Sequence, residues 1–150
     1  ISLSQEMPDF LPDRIEAGTH NMPGIAGLLA GVRFVRRQGT QAVLHHEHAL
    51  TCRTVENLRR LPGVEVFALP GCPAQAGVVS FRVPGRDAET VGEALARRGI
   101  AVRAGLHCAP LAHRTAGTLD TGTVRVSFSA FNTPQEADRL AEAVGDILRR

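Results

Sequence analysis

GTVRVSFSAFNTPQEADRLAEAVGDIL, residues 122–148, joins two periodicities. Val124, Val126 and Phe128 alternate with Arg125, Ser127 and Ser129, the period-two pattern of a strand (residues 123–129) with one face on a core. Thr133-Pro134-Gln135-Glu136 then makes a capping box with proline at the first helical position. Behind it Ala137, Leu140, Ala141, Val144, Ile147 and Leu148 recur at helical spacing. A half-apolar strand feeding an amphipathic helix predicts an antiparallel sheet covered on one side by helices.

The pattern extends upstream. Residues 100–103 read as a strand, preceded by a helix that Asp87 caps, that turns Val91 and Leu95 inward and that closes at Gly99. Residues 64–69 and 77–83 are β-branched runs separated by the turn-rich Pro70-Gly71-Cys72-Pro73. Farther back, Asn21 caps a helix with Pro23 in its first turn and Ile25, Leu28, Leu29, Val32 and Val35 on one face. It stops at Gly39; Thr40 restarts a helix to about Leu61, where Pro62-Gly63 ends it. Strands interrupted by helices place the chain in the α+β class. The expected organisation is an extended tail over residues 1–21, a helical arm over 22–62 and an α+β domain over 63–150.

At 150 residues and 43% hydrophobic, the chain can bury one core. Its +2 charge arises from 17 basic and 15 acidic residues mixed along the sequence, without the like-charge run of a nucleic-acid arm. No apolar run is long enough to span a bilayer, and the first residues lack the build of a signal peptide. Cys52, Cys72 and Cys108 are widely spaced and form no CxxC, so neither a disulfide framework nor a zinc ribbon fits, and a cytoplasmic setting is expected. Every one of the 17 basic residues is arginine; there is no lysine. The start at Ile1 is the kind expected of the interior of a longer polypeptide.

Residues 104–122 form a loop long enough to suggest function. The run Arg103-Ala104-Gly105-Leu106-His107-Cys108-Ala109-Pro110 concentrates a guanidinium, an imidazole and a thiol. Gly105 and Pro110 keep Cys108 out of regular structure, while Arg103 and His107 as cations would favour its thiolate; by spacing alone Cys108 reads equally well as a buried small hydrophobe. Arg103 and Arg125 lie opposite the aliphatic residues of their strands, where a guanidinium fork could grip a carboxylate or simply meet solvent. His45, His48 and Cys52 share a helical face and would suit a soft metal, but an exposed polar face explains them as well and no metal site is assigned.

The segments 99–110, 117–133 and 8–24, with Glu16-Ala17-Gly18-Thr19 and Asn21, together resemble the class V pyridoxal-phosphate (PLP) enzymes in order along nearly the whole chain. The likeness is to the cysteine desulfurase and selenocysteine lyase branch, whose cysteine lies in an Arg-x-Gly-x-His-Cys-Ala loop. The resemblance implies the small C-terminal domain of a fold-type I PLP enzyme. It implies Cys108 as the sulfur-accepting nucleophile, Arg125, Arg103 and His107 as substrate-binding, and Gly18 and Thr19 as binding the cofactor phosphate across a homodimer. It also implies L-cysteine, selenocysteine, cysteine sulfinate or a transamination substrate, and a sulfur-acceptor protein. The sequence departs from the family at His20, where proline is usual, and in lacking the lysine that holds PLP as a Schiff base. The chain alone is therefore expected to be inactive. A second reading is a non-catalytic metal- or sulfur-carrier module using His45, His48, Cys52 and Cys108.

Overall fold

The computed structural model describes residues 7–16, 18–72 and 75–149. They fall into two units, Ile1–Gly39 and Thr40–Arg150. In the first, the tail is described from Met7, and the expectation for residues 1–6 lies outside the described residues. Part of the tail is turned rather than extended: the Arg14 amide donates to the Phe10 carbonyl and the Ile15 and Glu16 amides to Pro12. Helix α1 (Met22–Gln38) starts where Asn21 accepts a hydrogen bond from the Gly24 amide. It ends where the Gly39 amide donates to Val35 at 2.8 Å. None of its residues is buried, and its apolar face of Ile25, Leu28, Leu29, Val32 and Val35 is exposed.

The second unit runs α2 (Thr40–Arg59), β1 (Glu65–Phe67), β2 (Val78–Arg82), α3 (Ala88–Ala96), β3 (Arg103–Gly105), α4 (Pro110–Thr115), β4 (Thr123–Ser127) and α5 (Pro134–Leu148). The strands form one sheet in the order β1-β2-β4-β3 with every pairing antiparallel, giving the α+β class. Val79, Phe81, Val124 and Val126 project from one face into a core completed by Val55 and Leu58 of α2, Val91 and Leu95 of α3, and Leu140, Val144 and Ile147 of α5. Each such fully buried aliphatic or aromatic side chain is worth about 1.5–3 kcal/mol, so this layer holds the unit together. Arg53 grips Asp138 with two hydrogen bonds of 2.6 and 2.7 Å and tethers α2 to α5. The capping box at Thr133 and Glu136 forms as expected.

Because successive residues of a strand face opposite ways, the residues between the core positions share the other face. The registers Phe67↔Ser80, Ser80↔Arg125 and Arg103↔Arg125 lay these four side chains in a row across all four strands.

Three expectations need correction. The strand expected over 100–103 begins only at Arg103, because the Ile100 amide is still bonded to Leu95 at the end of α3. The long loop is not irregular throughout, since α4 forms within it. The strand of residues 123–129 ends at Ser127, as the Ser129 amide turns to donate to the Asn132 side chain at 2.9 Å. In the turn at 70–73, Cys72 closes a hydrogen bond to Leu69, and Pro73 lies outside the described residues. Among the described residues no helix is long and apolar enough to cross a membrane.

Candidate functional site

The site is built at one end of the polar row. Strand β3 finishes at Gly105 and β4 starts at Thr123, its register partner. A Cβ on Gly122 would stand 2.9 Å from the Gly105 Cα, so the root of the intervening loop closes only because Gly122 lacks a side chain. From there the chain passes through His107 at φ 52° and Cys108 at φ 58°, two consecutive non-glycine residues in the left-handed region. Each such residue costs about 1–3 kcal/mol unless its surroundings over-determine it, and strain of this kind concentrates at functional positions.

The surroundings here do so. The His107 Nε2 lies 3.2 Å from both the carbonyl and the hydroxyl oxygen of Thr123. A carbonyl can only accept, so Nε2 carries the proton and Nδ1 the lone pair. Helix α4 is anchored by buried His113, whose Nδ1 sits 2.8 Å from the Thr118 hydroxyl, and whose ring lies 5.7 Å from that of His107. Burial, then the nearby Arg125 guanidinium, holds His107 below the usual imidazole range. It is thus neutral near pH 7, contrary to the expectation that it joins Arg103 as a cation.

Cys108 is exposed and free, with an Arg103 terminal nitrogen 3.7 Å from its sulfur. Beside it lies a cavity of about 300 Å³ lined by Phe67, Ser80, His107, His113, Thr123 and Arg125. Two buried polar atoms on this lining, Arg125 Nε and His107 Nδ1, have no hydrogen-bond partner among the described residues. Arg103 and Arg125 stand directly opposite each other, a like-charge pairing that is unfavourable in itself, and neither makes an ion pair among the described residues. Two guanidiniums side by side on one sheet face, that of Arg125 lining the cavity with an orphaned donor, are suited to an anion such as a carboxylate.

The structure thus gathers Arg103, His107, Cys108 and Arg125 in one place. Gly18 and Thr19 belong to the other unit: Gly18 turns the chain at φ 78° and both are exposed, while Ala17 lies outside the described residues. Of the helical trio, His48 and Cys52 come together with Cys72, and His45 does not join them. Thr123, His113 and Thr118 were not singled out in the sequence. Thr123 was within reach, since it precedes Arg125 by two on the same strand face; His113 and Thr118 act through α4, which no periodicity announced.

A family model described as Aminotransferase class-V matches residues 1–140. The chain is 41% identical over 136 residues to a cysteine desulfurase of Synechococcus elongatus, covering 91% of this chain and 21% of that one. The apo structure of a cysteine desulfurase from Thermococcus onnurineus superposes with a TM-score of 0.84 at 37% identity, over 92% of this chain and 34% of that one. A cysteine desulfurase structure from Escherichia coli, in an S-sulfonic acid form, gives a TM-score of 0.81 at 30% identity, over 92% and 33% of the two chains. The chain therefore spans between about a fifth and a third of the length of these relatives.

Proposed function

Since the chain belongs to the class V aminotransferase family, we propose that it is the C-terminal, sulfur-accepting part of a PLP-dependent cysteine desulfurase acting on L-cysteine. The observation that carries this reading is Cys108, exposed on a strained turn beside Arg103 and near Arg125, whose Nε has no partner among the described residues. In it, Arg125 and Arg103 hold the substrate carboxylate, and neutral His107 fixes the backbone of the cysteine turn through Thr123. The overall conversion takes L-cysteine and the Cys108 thiol to L-alanine and a Cys108 persulfide. An S–S bond forms as the substrate's Cβ–S bond breaks, and Cβ receives the proton. An exposed persulfide is then available to a sulfur-acceptor protein.

PLP, the family's cofactor, supplies an electron sink when bound. This chain's residues do not fit it by themselves, because no lysine amine is present for the Schiff base. The lysine belongs to a separate, larger part of the enzyme, Gly18 and Thr19 reach the cofactor phosphate from a neighbouring subunit, and the working unit is a homodimer in the cytoplasm. The likeness leaves transamination and selenocysteine cleavage within the same fold; the accessible thiol favours sulfur transfer.

The experiment is to incubate the purified chain with PLP, reduce with borohydride, and assay L-cysteine for alanine release. The expected result is no site-specific cofactor mass and no alanine, with alanine and a persulfide on the Cys108 peptide appearing only when a lysine-bearing half is supplied. Labelling with turnover by the chain alone overturns the reading.

A further inference from the structure

A second cluster of soft ligands lies away from the cysteine turn, and the proposed sulfur transfer does not use it. His48 and Cys52 are one helical turn apart on α2, and Cys72 comes from the segment after β1. A ring nitrogen of His48 and the two sulfurs all lie within 4.8 Å of one another. We propose that His48, Cys52 and Cys72 form a three-ligand site for a zinc ion, with its fourth position open to water or an added ligand.

The geometry supports zinc on several grounds. Zn–S bonds of about 2.3 Å and Zn–N bonds of about 2.0–2.1 Å put sulfur and nitrogen about 3.6 Å apart at the edge of a tetrahedron. The Cys52 sulfur lies 3.9 Å from His48 Nδ1 and 3.5 Å from Nε2, so a small ring rotation reaches that edge. The Nε2 atom sits 2.6 Å from the Cys72 carbonyl, which can only accept; Nε2 therefore carries the proton and Nδ1 keeps its lone pair for a metal. Metal-binding imidazoles are commonly oriented by such a bond from their other nitrogen to a backbone carbonyl.

Two thiols and an imidazole, with no carboxylate among them, suit zinc rather than magnesium or calcium. The neighbouring His46 is engaged elsewhere, its Nε2 lying 2.9 Å from the Asn132 carbonyl. Cys72 is buried among core residues and held at φ 55°, a backbone conformation a non-glycine residue rarely adopts. An ion here would bind that turn to α2, and so steady the chain just beyond Phe67, which lines the candidate cavity.

The test uses the purified chain kept under a non-thiol reductant and titrated with cobalt(II), whose tetrahedral thiolate complexes absorb intensely in the visible. One cobalt per chain with that absorption, displaced by one equivalent of zinc, is expected. Cys52→Ser and Cys72→Ser should each lose the absorption, and His48→Gln should weaken zinc binding by about tenfold or more; Cys108→Ser should leave it intact. Circular dichroism of each variant separates loss of a ligand from loss of the fold. No absorption with the wild-type chain, a band that survives Cys72→Ser in a folded variant, or a Cys52–Cys72 disulfide that persists under reductant would each overturn the site. Because the readout needs neither PLP nor L-cysteine, its failure leaves the sulfur-transfer reading where it was.

Discussion

Cys72 and Cys108 share an unusual backbone: both are non-glycine residues at nearly the same positive φ, 55° and 58°. Their surroundings differ in every other respect. Cys72 is 5% exposed, packed in the core and close to Cys52. Cys108 is exposed, with a guanidinium near its sulfur and a cavity beside it. The same local conformation therefore serves a sulfur turned inward in one place and outward in the other. What separates the two chemistries is solvent and neighbours, not the turn.

The largest difference should appear in alkylation. Burial, reinforced by the neighbouring Cys72 thiol, pushes the Cys52 thiol up to about 11, which leaves on the order of one thiolate in ten thousand at pH 7. Brief iodoacetamide labelling followed by peptide mapping should modify Cys108 first, roughly a hundredfold faster than Cys52, with buried Cys72 also slow. Early modification of either inner cysteine would erase the contrast.

The contrast also depends on what the outward sulfur faces. In a lysine-bearing enzyme containing this segment, Arg125→Lys should lower kcat/KM on L-cysteine by roughly ten- to a hundredfold. It keeps the charge but loses the fork, and charge-assisted hydrogen bonds are worth about 1.5–3 kcal/mol. Unchanged kinetics would remove Arg125 from the site.

Glycine substitution sharpens the comparison in the currency of stability. Cys108→Gly relieves left-handed strain without giving up buried surface, and should stabilise the chain to urea by about 1 kcal/mol while ending sulfur acceptance. Cys72→Gly relieves similar strain but forfeits a buried side chain, and should be neutral or destabilising by about 1 kcal/mol. Equal effects at the two positions would mean that Cys108 is buried in solution.

The smallest effect concerns His107. Its folded-state value lies below the ordinary 6.5, so between the two values the unfolded chain binds more protons and stability rises with pH. Acidification below about pH 6.5 should therefore weaken the fold through this residue, and His107→Gln should flatten that part of a urea-midpoint profile.

Much of this was legible because it is local. Asn21, Asp87 and Thr133 announce their helices by capping chemistry within three residues, and each cap forms. The alternation of residues 123–127 correctly placed Arg125 opposite Val124 and Val126. Helix α4 was missed because its N-cap, Ala109, offers no side chain to the first turn and six residues show no periodicity. Helical spacing drew His45 toward His48 and Cys52, yet the third partner is Cys72, supplied by a turn that only the folded sheet brings near. The neutral state of His107 was equally hidden, since its cause is burial and a guanidinium on β4, far along the chain.

The contact between Gly105 and Gly122 has a consequence for how such a segment can vary. With 2.9 Å available at the Gly105 backbone and φ 62° at Gly122, even alanine must push the two chain crossings apart, and it does so at the base of the arm that carries the sulfur. In a library of all single substitutions selected for sulfur transfer, Gly122 should tolerate nothing else, although it touches no substrate. Leu111, exposed on α4, should accept almost any residue. The reach of the thiol is gauged by the width of a methyl group that is not there.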